Sequence, residues 1–203
     1  MTIKFIFILS LTTTLCVAQQ TVNIIPQPVS IQQKSGNFIL TGNTAIQYNP
    51  QQKDLKKVVD FFNLQIRKIA GFVLYVNISR PTTIQLTIEK LETTGDEDYR
   101  MEITSKGVAI KANTTAGIIY GIQSLLQTLP PIRTNAKLEI PCMNITDYPR
   151  FKYRGMHLDV ARHFMPVDFV KRFIELLSRY KYSYFHWHLT LSLIHISEPT
   201  RPY

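Results

Sequence analysis

The chain runs to 203 residues, 45% of them hydrophobic and 18% charged, which is enough for one complete domain of ~100–200 residues and part of another but not for two large ones. Its formal net charge is +9, yet the Lys and Arg residues are dispersed and no basic block is interleaved with aromatics, which argues against nucleic-acid binding. Residues 1–18 have the parts of a secretory signal: Lys4 near the start, an apolar run over 5–11, and Ala18 at the cleavage position. The mature chain is expected to begin near Gln19 and to be exported, to the periplasm or beyond. The apolar run is shorter than the ~20 residues of a spanning helix, so no stable membrane insertion is expected. Leu15 is a poor residue to precede a lipidated cysteine, which disfavours lipoprotein anchoring through Cys16. Once Cys16 leaves with the signal, Cys142 stands alone, and stability must come from the core rather than from a disulfide.

Residues 23–48 read as short strands and turns, apolar runs broken by Pro26, Pro28, Gly36 and Gly42. Over 54–70 the period changes: Leu55, Val58, Val59, Phe62, Ile66 and Ile69 recur at three and four, and Gly71 stands where a helix C-cap glycine belongs. Asn77, Asn113 and Asn144 each open an Asn-X-Ser/Thr triplet, which matters only in a source that glycosylates. Ile84, Leu86 and Ile88 alternate with polar residues, as do Tyr99, Met101 and Ile103, and Ser105-Lys106-Gly107 turns the latter strand toward Val108 and Ile110 as a hairpin. Asn113, Thr114 or Thr115 caps a second helix whose stripe is Ile118, Ile119, Ile122, Leu125, Leu126 and Leu129, ended by Pro130 and Pro131. This order predicts a compact α+β domain over 19–147, with its last strand near 138–140 and a connector over 141–149.

From Tyr153 the pattern becomes one strand–helix–strand unit, assigned to 148–190. Residues 155–160 read as a short buried strand. Pro166 suits the first turn of a helix whose buried face would be Phe169, Val170, Phe173, Ile174, Leu176, Leu177 and Tyr180. Residues 184–189 form the next strand. Polar residues gather on these strands: Arg154, Asp159, Arg162 and His163 with the first, His186 and His188 with the second. Alternation puts His186 and His188 on one face with Trp187 opposite. Arg154 and Asp159 are open to two readings, a structural ion pair or pocket residues at strand ends, and the His-X-His to packing or function. Two imidazoles on one face also permit a metal-dependent barrel hydrolase. Because no further His, Cys or acidic cluster accompanies the pair in sequence, no metal and no cofactor are expected.

The run YPRFKYRGMHLDVARHFMP, a helix, and then FHWHLT closely resemble the start of the catalytic barrel in β-N-acetylhexosaminidases of glycoside hydrolase family twenty. Upstream, IIPQPVSIQQKSGNFIL and TTAGIIYGIQSLLQTLP resemble the small α+β domain that precedes the barrel there. The fold class this resemblance implies is an α+β N-terminal domain followed by the start of a (β/α)8 TIM barrel, cut after about two strands. The activity it implies is removal of terminal, non-reducing β-linked N-acetylglucosamine or N-acetylgalactosamine from an oligosaccharide or glycoconjugate, with retention and with the substrate's own acetamide as nucleophile. By the same resemblance Arg154 matches the arginine that binds the sugar hydroxyls, and Asp159, His163 and His188 match positions that support the pocket.

The aspartate–glutamate pair that completes catalysis in that family follows a later barrel strand and is expected to lie beyond this chain, so the chain alone is expected to be inactive. Residues 191–203, LSLIHISEPTRPY, resemble the translation of a sequencing-library adaptor and are expected not to be native. A rival from another class is a non-catalytic carbohydrate-binding or scaffold module built on the α+β domain.

Overall fold

The computed structural model describes residues 22–92, 95–130 and 138–189. The expected signal segment, 1–18, and the expected non-native tail, 191–203, lie outside the described residues. The chain opens with β1 (Ser30–Leu40), β2 (Ala45–Gln47), α1 (Lys53–Ala70), β3 (Tyr75–Val76), β4 (Thr83–Ile88) and the hairpin β5 (Tyr99–Thr104) and β6 (Gly107–Ala112). It continues through α2 (Thr115–Gln127) and β7 (Leu138–Asp147). These seven strands make one mixed sheet in the order β1-β7-β5-β6-β4-β2-β3. Neighbours are antiparallel from β1 to β6, and the pairs β6/β4, β4/β2 and β2/β3 are parallel.

The local signals explain the helices. In α1 the apolar stripe buries Leu55, Val58, Val59, Phe62 and Ile66, and Gly71 closes the helix at φ +80, its N–H donating to the Arg67 carbonyl at 3.0 Å. A left-handed residue at that point suits glycine because no Cβ meets the preceding turn. In α2 it is Thr114 that caps, its hydroxyl accepting from the Ala116 N–H at 3.1 Å. Both helices share one continuous core with the sheet, centred on Phe38, Phe62, Ile84, Tyr99, Ile110 and Ile118.

Two expectations for this domain are corrected. The first region is not a set of short pieces: β1 is one strand of 11 residues that carries its irregularity internally. Its register against β7 shifts between Gln33 and Asn37, and Gly36 occupies the bulge at φ +93. The proposed connector over 141–149 is instead mostly strand, since β7 runs through Pro141 to Asp147. Proline is tolerated there because the ladder with β5 covers only Met143 to Asp147, leaving Pro141 flanked by β1 near its bulge.

Beyond Tyr148 come β8 (Gly155–Asp159), α3 (Val167–Arg179) and β9 (Tyr184–His188), with β8 and β9 paired in parallel as a sheet of their own. This is the expected strand–helix–strand unit, and Pro166 is the N-cap residue of α3. The expected buried face of α3 is only partly realised. Val170 and Leu177 are buried, and Phe173 meets Phe185 with ring centroids 5.8 Å apart. Phe169, Ile174, Leu176 and Tyr180 are exposed, because a two-stranded sheet offers a helix one narrow strip.

The unit is seated on the α+β domain by polar contacts. Lys181 at the end of α3 donates to Asp147 Oδ2 at 2.7 Å and to the Tyr99 hydroxyl at 3.0 Å, and Tyr99 also bonds Ser124 at 2.6 Å. Gln123 on α2 donates to Ser178 at 2.9 Å, and Gln127 donates to the Arg179 carbonyl at 3.0 Å.

Candidate functional site

The polarity of β8 separates its residues. Arg154 directly precedes the strand, whereas Asp159 ends it and Arg162 and His163 follow. In a parallel barrel, substrate-facing groups gather at the carboxyl ends of strands. Asp159, Arg162 and His163 are thus at the end where such a site forms, and Arg154 is at the other.

The contacts of Arg154 agree with that placement. Its Nε donates to the Lys181 carbonyl at 2.8 Å, one Nη donates to the Phe151 carbonyl at 2.8 Å, and the other reaches the Tyr120 hydroxyl at 3.1 Å. Glu97 pairs with it at 2.9 Å. A cavity of about 350 Å³ lies at this junction, but Arg154, Glu97, Tyr120, Lys181 and Asp147 on its walls bind one another. Burial raises the Tyr120 hydroxyl pKa above its ordinary value, with the Glu97 carboxylate adding to the effect and Arg154 opposing it. The chain's Asp–Glu dipeptide, Asp96-Glu97, lies here in the loop before β5, so its glutamate serves the junction.

At the other end of β8 the loop folds over Asp159. One carboxylate oxygen accepts the backbone N–H groups of Ala161 at 2.9 Å and Arg162 at 3.1 Å, and the other faces Arg162 Nε at 3.4 Å. The Arg162 N–H is the main cause of a lowered Asp159 pKa; desolvation opposes it, and the Ala161 N–H adds to it. Arg162 is 73% exposed at its side chain, against 18% for Arg154. Among the described residues, nothing but Asp159 engages the Arg162 guanidinium. His163 is exposed in the same loop.

Across the sheet, the expected alternation holds. His186 and His188 share a face with ring centroids 6.3 Å apart, and Trp187 lies on the other face, stacked on Phe185 at 6.2 Å. Phe185 faces α3, so the histidines occupy the side away from the helix. The register sets His157 opposite His186 and Asp159 opposite His188. His157 thereby joins the pair, edge-on to His186 at 4.7 Å and tilted to His188 at 5.8 Å. This corrects the expectation that no further histidine accompanies His186 and His188. The signal was present in the period-two position of His157 relative to Asp159, and it becomes visible once the two strands are set in register.

Residues 21–148 match the family described as glycosyl hydrolase family 20, domain 2, and residues 151–192 match the catalytic domain of the same family. A beta-hexosaminidase of Porphyromonas gingivalis is 30% identical over 83% of this chain and 22% of that protein. A beta-N-acetylhexosaminidase of Cellulomonas fimi is 32% identical over 83% of this chain and 34% of that protein. Among solved structures, an N-acetyl-beta-hexosaminidase of Streptomyces plicatus in complex with Thio-NAglucal superposes with a TM-score of 0.73 at 32% identity, covering 82% of this chain and 34% of that one. The chain thus spans between about a fifth and a third of these relatives. With two consecutive parts of one family matched in order, the first over more than half its length, this chain belongs to glycosyl hydrolase family 20.

Proposed function

We propose that the protein containing this chain is an exported exo-acting glycosidase that removes terminal, non-reducing β-linked N-acetylhexosamine from oligosaccharides or glycoconjugates. Substrate-assisted retention is the mechanism, the acetamido oxygen attacking the anomeric carbon while an enzyme acid protonates the leaving oxygen. The observation that carries this reading is the Asp159–Arg162 pair at the carboxyl end of β8, in a segment that matches the family's catalytic domain. Asp159 holds the loop through two backbone N–H groups and pairs with Arg162 Nε at 3.4 Å, which leaves the outer guanidinium nitrogens to meet a pair of sugar hydroxyls. We therefore assign hydroxyl recognition to Arg162 in place of Arg154, whose donors are already used at the domain junction.

The acid and the acetamide-orienting carboxylate are assigned to sequence outside this chain, since Glu198 is the one acidic residue after Thr190. Export rests on Lys4, the apolar run over 5–11 and Ala18. The test is release of nitrophenol from the β-linked nitrophenyl N-acetylglucosaminide by the full-length protein, with the α-anomer as control. Release from the β-anomer alone is expected, and absence of any release overturns the proposal. N-terminal sequencing of the mature protein should begin near Gln19.

A further inference from the structure

We propose that His157, His186 and His188 form a three-imidazole binding site for a borderline divalent transition metal, of which Zn²⁺ is the type, on the face of the β8–β9 sheet away from α3. The geometry is set by strand register. His157 and His186 are Cα partners, and His188 lies two residues on along the same face, beside Asp159. One ligand atom from each ring falls within 4.8 Å of the other two. Nitrogens bound at ~2.0–2.1 Å around a tetrahedral ion stand about 3.4 Å apart, so the widest separation of 4.8 Å must close by about 1.4 Å. Rotation of the side chains can supply that in this chain, where His157 and His186 are exposed and His188 is half-buried; a complete barrel would turn the same face inward.

Two further observations favour a cation here. Among the described residues the three rings contact one another, and no hydrogen bond to backbone or side chain occupies their nitrogens. Asp159 stands opposite His188 in the register and interacts with it electrostatically, so a carboxylate borders the site. The guanidinium of Arg162 faces the Asp159 carboxylate at 3.4 Å. An all-nitrogen donor set selects Zn²⁺, Cu²⁺, Ni²⁺ or Co²⁺ over Ca²⁺ and Mg²⁺, which demand oxygen ligands. The fourth position is left for water or an outside ligand. Bound metal would clip β8 to β9 through side chains, and metal binding is read separately from glycosidase activity.

The test uses the untagged chain. Co²⁺ is titrated and followed by its visible absorption, and Zn²⁺ binding is measured by equilibrium dialysis. One equivalent of Zn²⁺ bound per chain, competed by Co²⁺ but not by Mg²⁺, is the expected result. His157→Gln and His186→Gln should each weaken binding at least 10-fold, while His163→Gln and His195→Gln leave it unchanged, since those two complete the five histidines of the chain. Circular dichroism of the metal-free variants establishes that they remain folded. If a glutamine variant unfolds, the same comparison is made with His188→Gln. No saturable binding at ~0.1 mM metal overturns the site, as does binding that survives loss of His157 or that depends on His163 or His195.

Discussion

Arg154 and Glu97 form an ion pair at 2.9 Å that joins the residue before β8 to the loop before β5, with both side chains about one-fifth exposed. The same guanidinium bonds Tyr120 on α2 and two backbone carbonyls, so one side chain links three parts of the chain. Arg154→Ala should lower stability by about 2–3 kcal/mol, because Glu97 and two carbonyls lose a charged donor at a half-buried junction. Arg154→Lys should recover only part of this, since an ammonium cannot reproduce the fork. Equilibrium denaturation in urea is the check, and an unchanged midpoint for Arg154→Ala would remove the structural assignment.

The outcome for Arg162→Ala should be the reverse. Its ion pair is exposed on the arginine side, so stability should change by less than ~1 kcal/mol. In the full-length protein, loss of a guanidinium donor to the sugar should lower catalytic efficiency roughly 10- to 100-fold, and more for a bidentate contact. Steady-state kinetics of Arg162→Ala and Arg154→Ala side by side decide which arginine meets substrate.

Alkaline pH should act through Tyr99. Burial, followed by the nearby Asp147 carboxylate, pushes the Tyr99 phenol well above its ordinary value, against a smaller opposing effect of Ser124. The folded state then keeps a proton that the unfolded chain releases near pH 10, so stability falls as pH rises beyond that point. Lys181 runs the other way: burial lowers its ammonium pKa, with Asp147 opposing, so its own contribution rises with pH up to the unfolded lysine value near 10.4. Tyr99→Phe should cost ~1 kcal/mol at neutral pH through lost hydrogen bonds and should flatten the decline above pH 10. Urea midpoints from pH 7 to 11 measure both effects.

Gly117→Ala tests how closely α2 sits on the sheet. In an exposed helix interior this change would add up to ~1 kcal/mol of stability. Here the new Cβ would land on the Asp98 backbone carbonyl and against the Ala112 methyl, neither of which can swing aside. The expected result is a loss of ~1–3 kcal/mol. A stabilised variant would mean that the helix can lift without cost.

Much of the architecture was legible because periodicity and caps are local. The α1 stripe with Gly71, the start of α2 among Asn113, Thr114 and Thr115, and the β5/β6 hairpin each depend on residues within one or two turns of each other and appear where the pattern placed them, with the structure selecting Thr114 as the cap. The extent of β7 was not legible, because Pro141 signals a break and only the bulge of β1 beside it makes the strand continuous. The exposed side of α3 was likewise hidden, since a 3.6-residue stripe records what a helix is able to bury and not what is there to bury it.

The candidate site divides along the same line. The residue types around β8 and β9, the shared face of His186 and His188, and the family were determined by sequence alone, through alternation and two ordered motifs. Which arginine faces outward was decided by tertiary structure: Arg154 and Arg162 are equally good guanidinium donors, and only strand direction and the presence of Glu97, Tyr120 and the Lys181 carbonyl around the first distinguish them. His157 joined the histidine pair for the same reason, because the register between two strands separated by a helix is fixed by packing and not by neighbours along the chain.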